Sequence, residues 1–162
     1  SGAIRNLDVG NTEVAACIIQ QLTGADLFKL EPIQEYSRNY NECIAEAQAD
    51  QRRNARPELR SYPENLDGYD TVYLGLQSEQ SLRSRAIRLL AAFLAIMAVF
   101  TFLEHFDWSG KTIRPFCTHE GSGMGRSEVD IRRLCRGADI KPGLAIQGAK
   151  ASLARKEIEG WI

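Results

Sequence analysis

The residues best equipped for chemistry lie in one stretch, Thr112-Ile-Arg-Pro-Phe-Cys117-Thr-His-Glu-Gly-Ser-Gly-Met-Gly-Arg-Ser127. Glycines at 121, 123 and 125 let backbone N–H groups approach a ligand at φ values that a Cβ forbids. As residues alone, the stretch reads either as a ligand loop or as a surface loop. His119 and Glu120 could serve as acid and base, but adjacent residues rarely converge on one substrate atom. Ser122 sits in Glu120-Gly-Ser-Gly-Met124, which is not the Gly-x-Ser-x-Gly elbow of serine hydrolases. A hydrolase therefore ranks last. A second candidate is Gly10-Asn11-Thr12, ahead of a helical pattern. A phosphate would find unpaired N–H groups there, the positive end of a helix dipole, a hydroxyl and an amide. The alternative is that Thr12 is simply the N-cap. Neither a Walker loop nor Gly-x-Gly-x-x-Gly is present. Arg83, Arg85 and Arg88 read as a solvated face or as a contact for an anion or partner.

The elements that must position these groups alternate. Ala3 to Val9 is a candidate strand interrupted by Arg5 and Asn6, and Thr12 to Leu22 is a helix with Val14, Cys17, Ile18 and Leu22 at helical spacing. Gly24 is its stop. Asp26 to Pro32 alternates apolar and polar, as an outer strand would. A polar helix is expected from Tyr40 to about Arg53, then a loop with two prolines to Gly68. Tyr69 to Gly75 reads as a buried strand, and Gly75 marks its turn. A helix is expected over Leu82 to Phe106, uncharged from Leu89 to Leu103. Spanning a membrane takes about 20 apolar residues, so this stretch reads instead as a buried helix or as an apolar face hidden in a homodimer. The strand from Thr112 follows, then a helix with Ser127 as N-cap, a last strand from Gly143 to Gly148 and a closing helix from Ala149 to Trp161. That last helix turns Leu153, Ile158 and Trp161 inward. Strand and helix alternate five times, which predicts a parallel sheet covered on both faces. Ligands of such sheets bind at the carboxyl ends of the strands, here the loops from Val9 to Thr12, Gly75 to Ser81 and Cys117 to Arg126.

The bulk properties narrow the function. A chain of 162 residues suits a single domain over 1–162 with a real core. Its 20 basic and 21 acidic residues leave no positive excess for nucleic acid. Cys17, Cys43, Cys117 and Cys135 form no Cys-x-x-Cys pair, and three sit in apolar or periodic segments. That usage, with no signal peptide read at the start, gives the expectation of a reduced, cytoplasmic protein. Two histidines remote from any cysteine cluster give the expectation of no metal site.

Several blocks together resemble a known family. Gly10-Asn-Thr-Glu-Val-Ala, Ala25-Asp-Leu-Phe, Asn54-Ala-Arg-Pro-Glu-Leu, Tyr69-Asp-Thr-Val-Tyr-Leu-Gly75, Phe106-Asp-Trp-Ser-Gly-Lys-Thr112 and Pro115-Phe-Cys-Thr-His-Glu-Gly-Ser-Gly-Met-Gly-Arg-Ser127 are similar to bacterial flavodoxin-like proteins. The resemblance implies a three-layer α/β sandwich with a five-stranded parallel sheet of order 2-1-3-4-5. It also implies non-covalent FMN, and electron transfer to a redox partner protein or a small-molecule acceptor. By position, Gly10, Asn11 and Thr12 would hold the FMN phosphate, while Thr118, His119, Glu120, Gly121, Ser122 and Gly123 would line the flavin ring. Leu7 and Val9 stand where the family usually has Ser and Thr, and Leu76-Gln-Ser-Glu-Gln80 stands where it usually has Tyr-Pro and tryptophan. The competing expectation is the same fold with a degraded flavin site, using residues 76–96 for dimerisation or partner binding.

Overall fold

The structure, a computed structural model, describes residues 10–34, 37, 39–77 and 97–162. The expected first strand at 3–9 and most of the helix expected from Leu82 lie outside them, as do Arg83, Arg85 and Arg88.

Helix α1 (Asn11–Thr23) starts from Gly10 as N-cap, and ends at Gly24, whose φ of 71° lets its N–H close on Gln20 O. Helix α2 (Tyr40–Arg52) is the expected polar helix. Strand β1 (Thr71–Gln77) leads to α3, helical over 97–105, and then to β2 (Thr112–His119). Helix α4 (Ser127–Leu134), two short strands β3 (Asp139–Ile140) and β4 (Leu144–Gln147), a 3-10 turn (Gly148–Leu153) and helix α5 (Arg155–Trp161) complete the chain.

The pairings between the described strands are all parallel. β2 is central: β1 lies along one side from Thr71↔Thr112 to Gln77↔Thr118. On the other side β3 meets Thr112 and Ile113, and β4 meets Phe116 to His119. β3 and β4 are therefore one lane broken at Lys141-Pro142-Gly143. Proline has no N–H to give a ladder. The Gly143 N–H donates to Glu128 Oε1 of α4 at 2.6 Å, and the Trp161 indole N–H donates to Pro142 O at 2.9 Å.

Alternation along β2 sorts its side chains to two faces. Ile113 and Cys117 join Leu74, Leu76, Val99, Phe102, Leu103, Trp108 and Ile131 in one apolar cluster under α3 and α4. Phe116 joins Ala15, Ile19, Ile146, Ala154 and Ile158 in the other, under α1 and α5. The result is a sheet with helices on both faces, the architecture that the strand–helix alternation predicts. Four of the five expected strands fall within the described residues, and three of them form lanes of the sheet. Trp108 ties the first cluster to the end of α3 by donating its indole N–H to Leu103 O at 2.7 Å. The long loop before β1 is clamped to α3 by Arg56, bonded through Nε and one terminal nitrogen to the Glu104 carboxylate at 2.9 Å each. Tyr62 stacks on His105 at 3.9 Å between ring centroids.

Several expectations are corrected. Asp26 to Pro32 is no strand: only Pro32 meets Leu59 in an antiparallel bridge. The backbone of this stretch bonds the 58–60 loop instead, through Ile33 N–H to Glu58 O and Arg60 N–H to Glu31 O. The alternating pattern leaves Leu27 and Phe28 exposed. Thr12 is not the N-cap of α1 but its second residue, because its hydroxyl is engaged elsewhere. Ser127 is the first residue of α4, with Arg126 at the cap. The closing helix is split, since 148–153 winds as 3-10, and Leu153 points outward at 81% exposure, while Ile158 is fully buried.

Candidate functional site

The parallel register brings the carboxyl ends of β1, β2 and β4 to one edge: Gln77 beside Thr118, and His119 beside Gln147. The amino end of α1 arrives at the same edge. Its first-turn N–H groups at Asn11, Thr12 and Glu13 precede the first intrahelical bond, from Val14 N–H to Gly10 O. No side chain caps them, so three donors at the positive end of the helix dipole have no acceptor among the described residues.

Thr12 and Thr118 join the helix to the sheet through a hydroxyl–hydroxyl hydrogen bond of 2.6 Å. Gly75 makes this approach possible. A Cβ there would stand 2.8 Å from Phe116 Cζ and 3.2 Å from Thr12 Cγ2. Expected from the sequence as a cofactor-binding residue at the turn that ends its strand, Gly75 instead lies inside β1 and is the close-approach point of β1, β2 and α1.

Beyond β2 the glycine loop turns at Gly121, Gly123 and Gly125, with φ of 138°, 59° and 53°. His119 is spent inside the loop, its Nδ1 accepting the Gly121 N–H at 2.9 Å. Ser122 is exposed and makes no hydrogen bond to His119 among the described residues. The Cys117 thiol donates to Gly123 O at 3.3 Å and anchors the loop from below. Burial pushes this thiol up to about 11, and that of Cys135 to about 12. A raised thiol holds its proton in the folded chain after the unfolded chain has lost it. Stability is therefore complete below about 9 and falls as pH rises through the window from 9 towards 12. Denaturation midpoints should hold level up to about pH 9 and decline progressively above it. At pH 8, a thiol reagent should leave Cys117 and Cys135 unmodified until denaturant is added.

Glu120 leaves the loop towards α1. A Cβ on Gly148, the residue that follows β4, would collide with Glu120 Oε1 and stand 2.7 Å from Asn11 Nδ2. Gly10, Asn11, Thr12, Gly75, Thr118 and Glu120 thus share one site, with Gly148 as its floor. His119, Gly121, Ser122 and Gly123 form the loop beside it. Sequence reasoning missed Gly148, which read only as a strand end, and Glu128, which fixes Gly143 behind the loop. A cavity of 590 Å³ opens next to the site along β1. It is shared through Gly10, Thr12 and Gly75, and its lining mixes apolar groups such as Ile19, Leu30, Leu66 and Phe102 with the polar Glu13, Asp26 and Lys29. No helix among the described residues is long and apolar enough to cross a membrane.

Compared with known proteins, residues 7–162 match the family model described as Flavodoxin. Two solved structures are similar over nearly the whole chain, each named a "putative flavoprotein". That from Bacteroides uniformis ATCC 8492 has a TM-score of 0.66 at 23% identity, covering 91% of this chain and 90% of its own. That from Bacteroides eggerthii DSM 20697 has a TM-score of 0.63 at 24% identity, covering 93% and 90%. Among curated proteins there is no match.

Proposed function

From the premise that the chain belongs to the flavodoxin family, we propose that it binds FMN non-covalently and acts in electron transfer or as a flavin-dependent oxidoreductase. The observation that carries this reading is the set of three N–H donors at Asn11, Thr12 and Glu13, without an acceptor among the described residues and delivered to the carboxyl edge of a parallel sheet. Such a helix end is built for an anion, and the Thr12 hydroxyl and Asn11 amide add two neutral polar groups. These residues suit a phosphate. Gly121 and Gly123, in a left-handed backbone that L side chains rarely adopt, give the loop after β2 a surface without Cβ atoms, against which a planar ring can lie.

When bound, FMN supplies the one- and two-electron chemistry through its ring. The chain's own part is to hold the phosphate at Gly10 to Thr12 and to set the ring against Thr118 to Gly123. The Cys117-to-Gly123 contact keeps that loop seated on the sheet. The acceptor of the electrons, in this reading, is a partner protein or a small molecule meeting the ring at the exposed loop. The rival reading, an interaction module, is drawn from residues 76–96, of which only Leu76 and Gln77 are described.

Titration of the purified protein with FMN, followed by quenching of flavin fluorescence, tests the proposal. Saturable binding at micromolar or tighter concentration is expected, and no binding at about 100 μM in a folded protein overturns it.

A further inference from the structure

The side chains that converge over Gly148 include a negative charge at a site suited to an anion. Glu120 Oε1 and Asn11 Nδ2 both fall within 3.0 Å of the point where a Gly148 Cβ would be. They come from opposite sides of the site, one from the end of β2 and the other from the first turn of α1. Neither side chain has a hydrogen bond or ion pair among the described residues. Gly148 itself is buried and Glu120 is exposed, so the carboxylate reaches in from solvent over a floor without a side chain. A side chain at 148 would displace the ends of both Glu120 and Asn11.

We propose that Glu120 is the residue that sets how strongly this site prefers a phosphorylated over an unphosphorylated flavin. The inference rests on the flavin reading above. The positive end of α1 and the Asn11 amide attract the carboxylate when no phosphate is bound. A phosphate arriving at Asn11 to Glu13 meets that charge as a like-charge neighbour and must displace it. Riboflavin carries no phosphate and meets no such opposition. Because Glu120 is also part of the loop set against the ring, displacing it moves the loop as the phosphate settles. Phosphate recognition and ring seating then become one event.

The test uses Glu120→Gln, which keeps the shape and removes the charge. Inorganic phosphate is titrated into both proteins and followed by the amide shifts of Asn11, Thr12 and Glu13. FMN and riboflavin are then titrated in parallel. Phosphate and FMN should each bind about tenfold tighter to the variant, with riboflavin changed by less than about twofold. The difference should shrink when salt is raised from about 20 to about 500 mM, as a charge effect must and a packing effect need not. Equal phosphate responses in the two proteins, absent ones included, overturn the role of Glu120 whatever the flavins do. Phosphate responses that differ while neither flavin binds would leave that role standing and remove the flavin reading.

Discussion

Phe116→Ala lowers the stability of the fold by about 3–5 kcal/mol, a large share of the 5–15 kcal/mol that a domain of this kind has in total. Phe116 is 2% exposed and lies at the centre of β2. Its ring fills the space left by the missing side chain of Gly75 and meets Trp161 edge-on at 6.2 Å between centroids. Ala15, Ile19, Ile146 and Ile158 surround it. Truncation empties a site walled by a β-strand on each side and by two helices above, which cannot collapse without moving α1. At about 2–4 °C per kcal/mol for a chain of this length, the thermal midpoint should fall by roughly 6–20 °C. A calorimetric scan beside the unchanged protein decides the matter, and a fall under about 3 °C would show that the ring is not the keystone of this cluster.

Thr12→Val should cost FMN about 1.5–3 kcal/mol of binding, the worth of a hydrogen bond to a charged group. That corresponds to a weakening of roughly 10- to 150-fold. Valine keeps the volume of threonine and the Cγ2 contact near Gly75, while it removes the only hydroxyl that α1 brings to the site. It also breaks the 2.6 Å bond to Thr118, a residue 1% exposed, so a loss of about 1 kcal/mol in stability accompanies the affinity change. Riboflavin separates the two effects. Its affinity should change far less than that of FMN in the same fluorescence titration, and an equal loss for both would show that Thr12 does not address the phosphate.

Much of the frame was legible because it rests on short-range rules. The apolar run from Thr112 is a strand because a central parallel strand is buried on both sides. Of Val14, Cys17, Ile18 and Leu22, three pack against the margin of the second cluster, while the residues of α1 buried in it are Ala15 and Ile19. Gly24 ends that helix by the left-handed turn that glycine permits. The position of Gly10, Asn11, Thr12 and Thr118 at the carboxyl edge of the sheet was also within reach, since a glycine turn before a helix and a loop after a strand advertise that edge.

The failures come from context that a local pattern does not contain. Asp26 to Pro32 alternates as a strand does, yet its backbone partners are supplied by the 58–60 loop, 28 residues away for Arg60 to Pro32. Thr12 has the residue type of an N-cap, but the hydroxyl of Thr118, distant in sequence, outcompetes its own helix for that oxygen. Gly148 is informative only once Asn11 and Glu120 have been brought over it by the sheet. β3 has two residues and no pattern to read.

The break at Lys141-Pro142-Gly143 has a consequence for how the protein behaves in a crowd of its own copies. Among the described residues, the β3–β4 lane forms the outer margin of the sheet, and an open margin recruits strands from other chains. Here the margin is interrupted halfway. Pro142 has no donor, its carbonyl is taken by Trp161, and the Gly143 N–H is taken by Glu128. An incoming strand would find two short stubs of two and four residues separated by a gap whose polar groups at Pro142 and Gly143 are already committed. The fold carries its own guard against runaway self-association along that side.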